Sequence, residues 1–242
     1  ICERGLFAQR HEDDGWGFDK SGGGCEESMA LEGFKYKCRL GIKRFLDVAC
    51  ASIGLVVFSP LFAVIALAIR LDSRGPVFFL QERLGKNGVP FRIIKFRTMV
   101  VNAEYLGDGL RVSSEKDTRI TRVGRILRAT SLDELPQLVN VIKGDMSLVG
   151  PRPPVVYHPY DGYDNYPDWA KGRFAVRPGI TGWAQVSVRA SVGWVERIKY
   201  DLEYVDKFSV LLDFRILLLT LWRVVRGDRI YLQAGECERV RD

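Results

Sequence analysis

Two adjacent acids, Asp133 and Glu134, sit between two arginines, Arg128 and Arg152, in the segments Arg128-Ala-Thr-Ser-Leu-Asp-Glu-Leu-Pro-Gln137 and Gly144-Asp-Met-Ser-Leu-Val-Gly-Pro-Arg-Pro153. Acids beside arginines suit chemistry on a metal-bound phosphate. A carboxylate holds a divalent cation or attacks phosphorus, and a guanidinium neutralises phosphate oxygens through forked hydrogen bonds.

The elements that must position these groups are partly readable. Leu135, Leu138, Val139 and Ile142 follow i, i+3, i+4, i+7 spacing, one apolar helix face, and Gly144 suits the stop. Ser131 and Glu134 have the spacing of a capping box. Pro136 argues for a slightly later start with Asp133 as the cap, because proline belongs in the first turn. Either start places Asp133 where free N–H groups and the helix dipole favour an anion. Taken alone, an S-L-D-E string reads as nothing more than a cap.

The chain has 242 residues, enough for one domain with a real core. Its 36 Lys+Arg against 30 Asp+Glu leave a net +6, a mild excess suited to anionic lipid or phosphate. No nucleic-acid motif appears, and the aromatics do not alternate with a basic stripe, so nucleic acid is not an expected partner. The five cysteines are odd in number and lack C-x-x-C spacing, so they read as free thiols and not as a disulfide frame or zinc site. His11 and His158 lie too far apart in sequence to suggest a histidine metal site or a Ser/His triad.

Residues 1–34 are polar and glycine-rich and read as a mobile leader, or as the cut end of something longer. Residues 35–75 open with a basic cluster that includes Lys37, Arg39, Lys43 and Arg44. A run of 22 uncharged residues follows, Val48 to Ile69, with Arg70 and Arg74 beyond it. Such a run normally spans a bilayer. Ser59-Pro60 falls at its centre, where the proline removes one N–H and clashes with the carbonyl of Val56. Both flanks are positive, and positive flanks prefer the cytoplasm. Two half-helices of about 11 residues reach roughly 16 Å, about half of the ~30 Å hydrocarbon core. The Ser59 hydroxyl is placed to satisfy a carbonyl freed by a break. A re-entrant helix–break–helix, a kinked spanning helix and a buried core helix all remain open on these residues.

Residues 76–232 read as the catalytic domain and 233–242 as a tail. Pro76–Leu80 and Phe91–Phe96 are strand-like around the turn signal Asn87-Gly88, a hairpin carrying Lys95 and Arg97 on one face at its end. Residues 100–120 read as a loop. Val123–Ala129 reads as a short helix on which Arg122, Arg125 and Arg128 share a face suited to lipid headgroups. Pro151-Arg-Pro-Pro154 is stiff and extended, which holds Arg152 in place. The aromatics of Tyr157–Trp169 either border a pocket or decorate a surface loop. A helix is predicted at Val195–Lys207. An apolar helix at Phe208–Arg226, broken by Asp213, Arg215 and Arg223, reads either as interfacial, with Trp222 at headgroup level, or as buried core.

Together with Lys95-Phe-Arg-Thr-Met99, Pro151-Arg-Pro153 and Arg177-Pro-Gly-Ile-Thr-Gly-Trp-Ala-Gln185, the acid segment resembles the bacterial sugar transferases, from about Lys43 to about Arg226. These are monotopic polyprenyl-phosphate phosphoglycosyl transferases. The resemblance is to the small single-domain type, and it implies an α/β (α+β) monotopic membrane protein. Its parts would be a re-entrant helix broken at Ser59 and Pro60, a small antiparallel hairpin and amphipathic surface helices. It implies transfer of a sugar-1-phosphate from a UDP-sugar to undecaprenyl phosphate, releasing UMP, as the first membrane step of surface-glycan assembly. Asp133 would be nucleophile and metal contact, Glu134 its partner, and Lys95, Arg128 and Arg152 phosphate or nucleotide contacts, with Mg²⁺ as cofactor. The implied setting is the cytoplasmic face of the bacterial inner membrane, among anionic lipids, with a homodimer left open. Glycosidase acids flank their bond at about 5–10 Å and rarely need three basic residues, so that chemistry fits less well. The alternative from another class is a catalytically silent, membrane-anchored nucleotide-sugar binding protein.

Overall fold

The computed structural model describes residues 23–103, 117–188 and 192–226, with side chains from Cys38 onward. The chain divides into residues 1–38 and 39–242, and the candidate site lies in the second unit. The leader of residues 1–34 lies outside the described residues up to 22, and α-helical backbone begins at Gly23. The tail and most of the 100–120 loop also fall outside.

The second unit mixes helices with two small sheets. Helix α1 (Gly23–Asp72) contains the whole apolar run. Helical backbone continues on both sides of Ser59-Pro60, with no loop where the sequence predicts a break. Ser59 Oγ donates to Val56 O at 2.8 Å, satisfying the carbonyl that Pro60 leaves without its N–H. Strands β1 (Phe78–Leu84) and β2 (Pro90–Phe96) form the antiparallel hairpin, in register from Phe78 opposite Phe96 to Leu84 opposite Pro90. Asn87 (φ 55) and Gly88 (φ 75) turn the chain through left-handed conformations, the reason this pair sits at the tip.

Beyond the hairpin come α2 (Arg122–Ala129), α3 (Gln137–Lys143) and β3 (Ser147–Val149). Then follow α4 (Asp168–Lys171), β4 (Gly179–Thr181), α5 (Trp183–Ser187), α6 (Trp194–Asp206) and α7 (Val210–Arg226). Strands β3 and β4 pair in parallel, a second sheet too short to leave a periodic trace in the sequence. Gly179 comes so close to the Gly150 backbone that a Cβ there would lie 2.1 Å from Gly150 N, so only glycine lets the two segments meet.

The core forms around both hairpin and helices. Ile93 of β2 packs with Ala51 of α1, Leu138 and Val141 of α3, and Met146. Phe96 packs with Ile65 and Ile69 of α1 and Leu127 of α2. The face of α3 that is buried differs from the predicted one: Gln137, Leu138, Asn140 and Val141 turn inward, while Ile142 is exposed. Asn140 explains the rotation. Its Nδ2 donates to Arg92 O at 2.7 Å and its Oδ1 accepts from Ile94 N at 3.0 Å, fastening α3 to β2.

Helix α7 buries Asp213 and Ile216 and turns an apolar stripe outward, with Leu211 78 % and Val225 76 % exposed. Its inward side packs Ile216, Leu212 and Leu219 into the core beside Val149, Tyr204 and Phe208, so α7 is apolar on both its buried and its outward side. Three of the Tyr157–Trp169 aromatics are packing groups: Tyr163 and Tyr166 meet Phe174 edge-on and Tyr160 packs on Tyr166, beside Leu84 and Ile198, while Tyr157 and Trp169 are exposed. Arg97 does not join Lys95. It is buried and donates to Ser73 O and Arg74 O, ending α1.

Candidate active site

Asp133 and Glu134 lie in a 3-10 turn (Leu132–Glu134) that precedes α3. No capping box forms. Ser131 takes a left-handed conformation (φ 57), its side chain caps nothing, and the residue before α3 is Pro136. A serine held at positive φ is uncommon, and it occurs here immediately before the acid pair. Asp133 is therefore not a helix cap, and its surroundings must be read from its neighbours.

Those neighbours differ for the two acids. Glu134 Oε1 accepts from Lys95 Nζ at 2.6 Å and from Arg152 Nη2 at 3.1 Å. Burial pushes the Glu134 carboxyl up, but Lys95 and Arg152 together outweigh it and hold the carboxyl down at about 2. Asp133, by contrast, forms no hydrogen bond or ion pair among the described residues. Burial raises its carboxyl to about 6; Lys95 opposes the rise, the adjacent Glu134 adds to it, and Arg128 and Arg152 oppose it. One acid is thus clamped, and the other is free while still mostly ionised at neutral pH.

Strand β2 delivers Lys95, and the extended Pro151–Pro154 stretch delivers Arg152. Arg128, in the last turn of α2, donates through Nε to Thr98 Oγ1 at 2.9 Å and is near enough to act on Asp133 electrostatically. All five expected site residues are gathered here.

Two arginines that the sequence does not single out fix Arg152. Arg173 donates to Arg152 O at 2.9 Å and is itself held by Asp201 at 2.6 Å, both deeply buried. Arg83 donates to Pro153 O at 2.9 Å and twice to Gln81 Oε1. Burial, reinforced by Arg152, lowers the Arg83 guanidinium to about 10. Consecutive carbonyls of the stiff stretch are gripped by buried guanidinia. Nothing in sequence marks them: Arg83 ends a run that looks like a solvated strand, and Asp201 lies 28 positions from Arg173.

A divalent cation would find its protein ligands among these same groups. Among the described residues no three of His, Cys, Asp and Glu cluster as ligands. Asp133, without a partner of its own, is the available carboxylate. That fits Mg²⁺, which takes one or two carboxylates and fills its remaining positions with water and substrate phosphate.

The second unit thus joins a long apolar helix, long enough to cross a membrane, to a small α+β body with an acid pair set among buried cations. The chain belongs to the bacterial sugar transferase family, which it matches over residues 38–227. It is 44 % identical over 194 residues to the UDP-glucose:undecaprenyl-phosphate glucose-1-phosphate transferase of Caulobacter vibrioides, covering 78 % of this chain and 72 % of that protein. It is 40 % identical over 189 residues to the uncharacterized sugar transferase EpsL of Bacillus subtilis, covering 78 % of this chain and 90 % of that protein. Identity is 42 % over 189 residues to the UDP-N-acetylgalactosamine-undecaprenyl-phosphate N-acetylgalactosaminephosphotransferase of Aeromonas hydrophila, covering 77 % of this chain and 44 % of that longer protein.

Proposed function

We propose that this protein transfers a sugar-1-phosphate from a UDP-sugar to undecaprenyl phosphate, releasing UMP, at the first membrane step of a glycan pathway. The observation that carries the reading is the unequal acid pair: a free, ionisable Asp133 beside a Glu134 locked to Lys95 and Arg152. The substrate classes follow from the names of the relatives.

Asp133 Oδ attacks the sugar-linked phosphorus, the bond from that phosphorus to the UMP oxygen breaks, and UMP leaves with the electron pair. The phosphosugar is then an acyl phosphate on Asp133. An oxygen of undecaprenyl phosphate attacks the same phosphorus, the bond to Asp133 breaks, and the carboxylate is regenerated. Lys95, Arg128 and Arg152 balance the phosphate charge at each displacement, and Glu134 holds two of them in position beforehand. Mg²⁺ bound at Asp133 would neutralise the diphosphate and favour departure of UMP.

The acceptor is a lipid, so the site must meet a membrane. The apolar run of α1 is tied to one folded unit on both of its flanks. Lys43 pairs with Asp213 at 2.6 Å, and Asp47 accepts from Ser147 Oγ at 2.7 Å. At the far end Asp72 accepts from Val123 N at 2.9 Å. Between these anchors Val56 is 74 % and Val57 63 % exposed. A run fastened to one domain on both flanks cannot present those flanks on opposite sides of a bilayer. This supports a re-entrant insertion with Ser59-Pro60 at its deepest point, and the positive flanks of the run favour the cytoplasmic face for the catalytic unit. The outward stripe of α7 and the exposed Arg122 and Arg125 of α2 would meet anionic lipid.

The test is turnover with a panel of UDP-sugars in membranes containing undecaprenyl phosphate. UMP release with formation of a lipid-linked diphosphosugar is expected. Binding of UDP-sugar without release of UMP would instead favour the silent binding protein.

A further inference from the structure

Gln137 is the first residue of α3, is only 2 % exposed, and its amide nitrogen has no hydrogen-bond partner. Buried amides are nearly always paired, and one that is not is a cost to the fold that calls for an explanation. Its surroundings supply one. Gln137 borders the same narrow cleft as Arg83, Lys95 and Arg152, together with Ile93, Pro153 and Gly179. The three charged groups there are donors only. Two of them, Lys95 and Arg152, converge on one oxygen of Glu134, which shows that their hydrogens can meet at a single anionic oxygen. An oxygen-rich anion is the chemistry that could take hydrogens from these cations and from the amide together.

We propose that Gln137 donates its side-chain amide to a phosphate oxygen of the bound sugar nucleotide, completing a cradle with Lys95 and Arg152. The assignment rests on the reading of this site as one for a UDP-sugar. A purely structural glutamine would have its amide bonded within the fold, whereas a ligand-binding one can wait unpaired.

The discriminating variant is Gln137→Met in the full chain, held in lipid nanodiscs, because methionine keeps length and volume and removes the polar end. Three quantities are read: melting temperature without ligand, its rise on adding inorganic pyrophosphate with magnesium, and kcat/KM for the UDP-sugar. The expected result is an unchanged or higher melting temperature, a smaller rise with pyrophosphate, and kcat/KM lower by about ten- to a hundredfold. A fall in melting temperature without ligand would make Gln137 a structural residue and overturn the proposal. So would an unchanged pyrophosphate response together with an unchanged kcat/KM. If the wild-type protein turns over no UDP-sugar at all, the functional reading falls instead, and the pyrophosphate comparison still decides the role of Gln137.

Discussion

Replacing Asp133 by Asn should stabilise the folded protein at neutral pH, although it removes a charge from among cations. Folding raises the Asp133 carboxyl from 3.8 to about 6, chiefly by burial. A carboxyl raised on folding favours the folded state fully below its unfolded pKa, and that advantage is lost as pH climbs through the folded value. A shift of about two pH units at about 1.36 kcal/mol each sets an upper limit of about 3 kcal/mol. The Asp133→Asn protein should therefore melt like wild type below about pH 4, diverge between about pH 4 and 6, and melt higher above. At about 2–4 °C per kcal/mol for a chain of this size, the gain reaches several degrees. Glu134→Gln should do the reverse. The Glu134 carboxyl is lowered from 4.5 to about 2, so its support of the fold is present above 4.5 and is lost only as pH falls towards 2. Its loss leaves Lys95 and Arg152 crowded without a counter-ion, at a cost of up to about 3 kcal/mol that stays constant from pH 5 to 8. Melting curves of both variants from pH 4 to 8 check this. An Asp133→Asn protein less stable than wild type at pH 8 would show that Asp133 is a structural anion, and the distinction between the two acids would collapse.

Other outcomes follow from the same geometry. Arg152→Lys keeps the charge but loses the planar fork, so kcat/KM should fall by at least about tenfold; wild-type kinetics would remove Arg152 from phosphate binding. Without magnesium or substrate the Asp133 carboxyl should titrate through about 6 by carboxyl NMR, and a carboxyl that stays ionised down to pH 4 would contradict the desolvated site described for it. Single cysteines replacing Lys37 and Arg74, in a background without the native cysteines, should both be shielded in intact cells from an impermeant reagent. In a Ser59→Ala, Pro60→Leu protein the position-37 cysteine should become accessible from outside as activity is lost. Labelling at position 37 without those changes would indicate an ordinary spanning helix.

Local chemistry was the part of this fold legible in the chain. The Asn87-Gly88 turn, the Gly144 stop and the α6 helix are all set by residues near in sequence, and each forms close to where it was predicted. The five site residues came together because long motifs carried them. What stayed hidden depends on partners distant in sequence. Asn140 rotates α3 by binding β2, Arg173 needs Asp201, and the parallel β3–β4 pair is three residues long on each side. Neither sequence-based helix start, Ser131 or Asp133 as cap, matches the structure, because a left-handed Ser131 leads into a 3-10 turn and α3 begins only after Pro136.

In the proposed reaction Asp133 carries the phosphosugar covalently. Incubating the protein with a UDP-sugar labelled at its sugar-linked phosphate, without undecaprenyl phosphate, and mapping the label by mass spectrometry tests it directly. Label should appear on the peptide bearing Asp133, be absent in Asp133→Asn, and be discharged on adding undecaprenyl phosphate. A labelled Asp133→Asn protein, or a wild-type protein that forms lipid-linked product but never carries label at Asp133, would contradict the account.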